Sequence, residues 1–212
     1  MPSVLRFLRR TLWIGALALL PVAAQAGETP WRVGIFEGQW AATRLPLLPY
    51  NLVTGGLSFR DSYLTSVIVS RQVGEADLRV PGTALGLAGV RFELEGTLSR
   101  HSGLQDHDEA TLGVMTRSRD YTGRAGAISL GWANGLSWAF SPPDYEYGVD
   151  GVRGEKTRQL QYYMGFEAEY TPVGAQHFSL FARLHHRSGI YGVISPSKTG
   201  SNILGVGLRW KG

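Results

Sequence analysis

Toward the C-terminus the chain reads Arg183-Leu184-His185-His186-Arg187-Ser188-Gly189, and a little further on Gly200-Ser201-Asn202. Residues two apart on an extended strand share a face, so His186 and Ser188 would stand side by side. An imidazole in that position can accept the hydroxyl proton, which is the pairing a nucleophilic serine requires. His-x-Ser is a short pattern and recurs by chance, so the chemistry depends on what presents it.

Other arrangements carry less. Gly135-x-Ser137-x-Ala139 has the start of a nucleophile elbow but lacks its final glycine and the helix that should follow. No His-Glu-x-x-His spacing and no phosphate-binding glycine loop occurs. The chain has no cysteine, which excludes disulfides, thiolate metal sites and a cysteine nucleophile. Asp106-His107-Asp108-Glu109 is a compact acidic cluster whose carboxylates could take Ca²⁺ or Mg²⁺, although a solvated loop is the simpler reading. No cofactor and no metal are expected.

The elements that must position His186 and Ser188 are strands. Arg6, Arg9 and Arg10 precede an apolar run from Leu12 to Val22, and Ala24-Gln25-Ala26 supplies a small-residue cleavage pattern. Residues 1–26 therefore read as an export signal and residues 27–212 as one domain. The apolar run is short for a membrane helix, which needs about 20 residues. The full chain holds 21 basic and 17 acidic residues, but three arginines and no acid lie in the signal. The remainder is nearly neutral, which speaks against a nucleic-acid partner.

Beyond the signal the pattern alternates. Val90, Phe92, Leu94 and Leu98 oppose Arg91, Glu93, Glu95, Thr97 and Ser99; Leu160 to Tyr170 behaves likewise. Eight segments of about 10 residues, with aromatics near their ends, are the pattern of a membrane barrel that turns apolar residues to lipid and polar ones to its lumen. They are Trp31–Trp40, Ser62–Val73, Gly89–Arg100, Glu109–Ser118, Arg124–Leu136, Arg158–Tyr170, Gln176–Arg187 and Ser201–Trp210. The predicted fold is an all-β, eight-stranded antiparallel transmembrane β-barrel. With a periplasmic N-terminus, long links such as Ala41–Asp61, Ser137–Thr157 and Ser188–Gly200 face outward, and Arg119–Gly123 and Thr171–Ala175 are short inner turns. The long inner link Gly74–Ala88 breaks this asymmetry.

Eight strands leave a lumen just filled by side chains, not a diffusion pore. Arg91, Glu93, Glu95, Glu167, Glu169, Arg183 and Arg209 have inward parity and are expected to pair with one another. In the last hairpin, Phe178, Leu180, Ala182 and Leu184 form the lipid-facing row, which His186 and Ser188 continue. Asn202 falls on the same face of the returning strand. The three should meet outside the barrel near its outer rim, where an amphiphile in the outer leaflet could reach them. Strand-end His, Arg and Ser residues also contact headgroups without doing chemistry.

The tract His185-His186-Arg187-Ser188-Gly189, with Gly200-Ser201-Asn202, Asp61-Ser62-Tyr63-Leu64 and Gly135-Leu136-Ser137-Trp138, resembles a divergent branch of the lipid A deacylase family of outer membranes (PagL-type, acyloxyacyl hydrolase-like barrels). The resemblance is best in the last hairpin. It implies an esterase that removes an ester-linked acyl chain from lipid A through a His-Ser-acid triad on the barrel exterior. The family histidine matches His186 and the family serine matches Ser188. Asn202 stands where the family has a glutamate, and Gly189 where it tends to have asparagine.

On that resemblance the catalytic set is Ser188 as nucleophile, His186 as general base and Asn202 orienting the imidazole, with backbone N–H groups of the Gly189 turn facing the oxyanion. Asp106, Asp108, Asp144 and Glu146 are the acids whose outer loops could bring a carboxylate near. The expected location is the bacterial outer membrane and the expected partner is lipopolysaccharide in its outer leaflet. The alternative is a non-catalytic barrel of the same fold that binds lipopolysaccharide or a partner. The oligomeric state is open.

Overall fold

The computed structural model describes residues 31–79, 86–143, 145–146, 157–196 and 199–212. The export signal expected at residues 1–26 lies outside them. The strands are β1 (Trp31–Ala41), β2 (Phe59–Arg79), β3 (Gly86–Gly103), β4 (Asp108–Arg117), β5 (Tyr121–Gly123), β6 (Gly126–Ala139), β7 (Leu160–Pro172), β8 (Phe178–Ser188) and β9 (Gly200–Lys211). Each pairs antiparallel with its neighbour. β9 returns to β1 from Arg32↔Lys211 to Trp40↔Ile203, and β4 closes on β6 from Glu109↔Ala139 to Arg117↔Gly131. Eight strands thus form a ring, and three-residue β5 only extends the β6 hairpin.

Alternation sets what faces where. Along β8 burial switches residue by residue from Phe178 to Ser188. The outer face of the ring exposes Leu94, Leu98, Leu112, Val114, Leu130, Trp132, Leu136, Leu180, Val206 and Leu208. An apolar band of this breadth on a closed sheet suits a lipid environment, because ring closure leaves no unpaired backbone edge in it. The chain is an eight-stranded transmembrane β-barrel.

The lumen is solid and charged. Arg117 reaches Glu93 at 2.9 Å and Glu167 at 2.8 Å. Arg183 reaches Glu95 at 2.6 Å and Glu167 at 2.8 Å. Arg209 joins Glu167 and Glu169, and Arg32 joins Glu93 and Glu169. Four arginines therefore neutralise four glutamates with almost no solvent exposure. Of the expected inward set, Arg91 is different: it sits at the rim on the Ser118 carbonyl and on Asp120 at 2.6 Å. Arg32 and Arg117 take the central places instead. Above this layer Phe36, Leu64, Ile68, Phe181 and Ile203 fill the lumen. Gly207 makes room for them, because a Cβ there would run into the Phe181 ring.

One expectation of the linking segments is corrected. The inner link Gly74–Ala88 is mostly strand: β2 and β3 continue as a bulged hairpin through Glu75↔Arg91 to Arg79↔Gly86. It runs past the barrel end, so both of its faces from Glu75 to Arg79 are exposed and the lipid-facing alternation that marks a spanning strand is lost. The outer link Ala41–Asp61 joins β1 to β2 as expected. It holds a 3-10 turn (Leu45–Leu47) and a short helix (Leu48–Thr54) with a proline in each first turn and Gly55 in the left-handed conformation ending it.

Candidate functional site

His186, Ser188 and Asn202 all lie on the outer face at the loop end of the barrel. Their neighbours in sequence fix this. Arg183, His185 and Arg187 point inward to Glu95, Glu109 and Glu146, so the even-numbered residues of β8 must point outward. On β9, Ser201 donates inward to Glu146 and Ile203 is in the lumenal core, which sends Asn202 outward.

His186 and Asn202 are register partners across β8 and β9. The imidazole Nδ1–H donates to Asn202 Oδ1 at 2.6 Å, with the Ser201 carbonyl at 3.2 Å as a second acceptor. The Asn202 amide donates its Nδ2–H to the Thr43 carbonyl at 2.8 Å. Thr43 lies in the link that carries the helix, and its hydroxyl receives the Asn51 side-chain amide at 3.3 Å. Asn202 is therefore held in one orientation, oxygen toward His186, and is only 9% exposed. With Nδ1 protonated, Nε2 of His186 carries the free lone pair.

Ser188 stands one pleat further toward the rim, opposite Tyr162 and Gly200. Among the described residues its hydroxyl has no hydrogen bond to His186. It accepts the Ile190 N–H at 3.2 Å instead. That turn is tightly built: Gly189 has φ −76° and ψ −1°, and Ile190 and Tyr191 follow with φ 47° and 52°. Right-handed then left-handed backbone points successive N–H groups into one concavity, a setting for negative charge. Non-glycine residues in this region cost about 1–3 kcal/mol each and persist only where the surroundings hold them. Gly189 itself packs against the Ser195 carbonyl, which leaves no room for a Cβ.

Among the described residues no acid completes the set. Glu146 is in the lumen, accepting from Arg187 at 2.9 Å, Ser201 at 2.8 Å and Gln161 at 2.8 Å. The strand wall separates it from His186. Asp106 and Asp108 pair with the exposed Arg100, and Asp144 lies outside the described residues. Ser137 is equally inward, donating to Glu109 at 2.7 Å and accepting from Arg187; it lies within β6, two residues before its end, with no elbow.

The expected solvated loop Asp106–Glu109 is corrected by the same alternation. Asp106 and Asp108 are exposed, but His107 and Glu109 turn inward, 3% and 0% exposed. Glu109 accepts from His101 at 2.6 Å and from His185 at 3.0 Å. The His107 ring stacks on His101 with centroids 4.1 Å apart. Burial, next to His101 and Arg187, pushes the His107 pKa down to about 3, so its imidazole is neutral.

The closed ring, apolar outside and salt-bridged inside, defines the class as a small membrane barrel with a polar cluster on its lipid-facing rim. No protein-family model and no curated protein sequence matches the chain. Solved structures do match in fold. The crystal structure of the outer membrane enzyme PagL superposes with a TM-score of 0.54 at 8% identity, over 84% of this chain and 97% of that one. Neisserial surface protein A (NspA) follows with 0.44 at 12% identity, over 87% and 96%. At 8% identity the likeness to PagL is one of fold.

Proposed function

We propose that this barrel is a bacterial outer-membrane esterase that removes an ester-linked acyl chain from lipid A in the outer leaflet, after export directed by residues 1–26. The observation that carries the reading is the His186–Asn202 hydrogen bond, on the outer face, beside Ser188. It fixes the imidazole tautomer that leaves Nε2 as a base. The fold shared with an outer membrane enzyme agrees with it.

Ser188 Oγ attacks the ester carbonyl as Nε2 of His186 takes its proton. For this step the serine hydroxyl must leave the Ile190 N–H and reach Nε2, and catalytic hydrogen bonds that are long in a free enzyme tighten when substrate binds. The freed Ile190 N–H of the Gly189–Tyr191 turn then faces the oxyanion. The imidazolium returns its proton to the leaving sugar oxygen, releasing the alcohol and leaving acyl-Ser188. A water activated by His186 hydrolyses that ester. Asn202 orients the ring but supplies no charge to stabilise imidazolium. The corresponding Asp-to-Asn change in a serine protease lowers the rate about 10⁴-fold, so this enzyme is expected to be slow.

A second reading is favoured by the missing Ser188–His186 bond and by Asn202: a non-catalytic barrel that keeps the site's shape and binds lipopolysaccharide or a partner. Refolded protein in mixed micelles with an ester-linked lipid separates the two. Release of fatty acid that disappears in His186→Ala supports the esterase. Lipid binding without release, equal in both proteins, supports the binder.

A further inference from the structure

We propose that His101, His107 and Glu109 form a transition-metal site of the zinc(II) class inside the loop end of the barrel. One ring nitrogen from each histidine and one carboxylate oxygen lie within 4.8 Å of one another, and all three side chains are buried. Two imidazoles and a carboxylate are a donor set suited to Zn²⁺ and its neighbours, not to Mg²⁺ or Ca²⁺, which prefer oxygen. Three protein ligands leave a fourth position open.

The second observation is that buried polar atoms there lack partners. His107 Nε2 and His101 Nδ1 make no hydrogen bond, and neither does the side-chain amide of Gln105, in the same link and 2% exposed. Orphaned donors and acceptors at this depth are costly, and a bound cation would engage the lone pair of His107 Nε2, with His101 ligating through the Nε2 that already faces Glu109. Little movement is needed. The 2.6 Å between His101 Nε2 and Glu109 Oε2 would open to about 3.3 Å for two ligands at tetrahedral bond lengths, and the His101–His107 stack would tilt. His107 is on a linking segment, which allows the tilt. Ordinary metal sites brace their ligands from behind, and here Ser137 and His185 both bond Glu109. Arg187 is 3.8 Å from Glu109 and opposes a cation, but Glu146 neutralises it at 2.9 Å. The ion would tie the β3–β4 link to both of its strands.

The test is a titration of the refolded full chain in detergent micelles with Zn²⁺, Mg²⁺ and Co²⁺. One equivalent of Zn²⁺ should bind and raise the melting temperature. Mg²⁺ should do neither, and Co²⁺ should give the visible absorption of low-coordinate nitrogen and oxygen ligation. His107→Ala should melt as the metal-free wild type does and lose binding at least tenfold, while His177→Ala and His186→Ala keep it. Absence of Zn²⁺ binding to folded wild type overturns the site. So does binding that survives His107→Ala or vanishes with His186→Ala, since the ion would then sit on the outer face.

Discussion

His186 and Asn202 face each other across the β8–β9 ladder, and the imidazole N–H donates to the amide oxygen at 2.6 Å. The amide nitrogen is committed to the Thr43 carbonyl, so the pair has one arrangement. This is the orienting half of a catalytic triad without its charge.

Asn202→Asp adds that charge. It keeps an acceptor for His186 Nδ1–H but sets a carboxylate oxygen against the Thr43 carbonyl, at a cost of about 1–3 kcal/mol. Esterase kcat should rise at least ~10-fold, part of the about 10⁴ that the ionised acid contributes elsewhere. Steady-state kinetics beside a denaturant melt would read both effects; an unchanged kcat in a folded variant denies His186 its role as base.

Removal of one partner from the lumenal network should destabilise the barrel far more than loss of a rim pair. Glu167 receives Arg117, Arg183 and Arg209, and Glu167→Gln leaves buried positive charge uncompensated, a loss of about 3–5 kcal/mol. The partly exposed Arg91–Asp120 pair should cost about 0–1 kcal/mol on Arg91→Ala. Urea unfolding in lipid bilayers, followed by tryptophan fluorescence, compares them.

The β2–β3 hairpin beyond the barrel should be dispensable. Leu78 and Leu87 pair there and are 41% and 55% exposed. Replacing Asp77–Gly89 by an Asn-Gly turn, which suits a two-residue hairpin, should leave the melting temperature and the esterase rate within error of wild type. A barrel that no longer refolds would give this hairpin a structural role.

Much of the fold is legible in the residue pattern. Period-two alternation locates all eight barrel strands, and parity alone puts His186, Ser188 and Asn202 outside and Arg183, Glu93, Glu95, Glu167, Glu169 and Arg209 inside. Parity fails where its physical cause ends. Past Arg71, β2 leaves the barrel, so Gly74–Ala88 reads as a loop although Gly74–Arg79 pairs with β3 from Gly86 onward. Arg91 has inward parity but lies at the open rim. At Asp106–Glu109 parity extends further than expected and divides an apparently solvated cluster into exposed aspartates and a buried His107 and Glu109. The lumenal histidine cluster has no linear signature, since His185 arrives from the far end of the chain.

Deacylation of lipid A by Ser188 and His186 is tested most directly by mass spectrometry of lipid A from cells expressing wild type or Ser188→Ala, with insertion of both confirmed. Wild type should produce lipid A lighter by one ester-linked acyl chain, and Ser188→Ala should leave the acyl pattern unchanged. An inserted wild type that alters nothing, or a Ser188→Ala variant that deacylates as well as wild type, would contradict it.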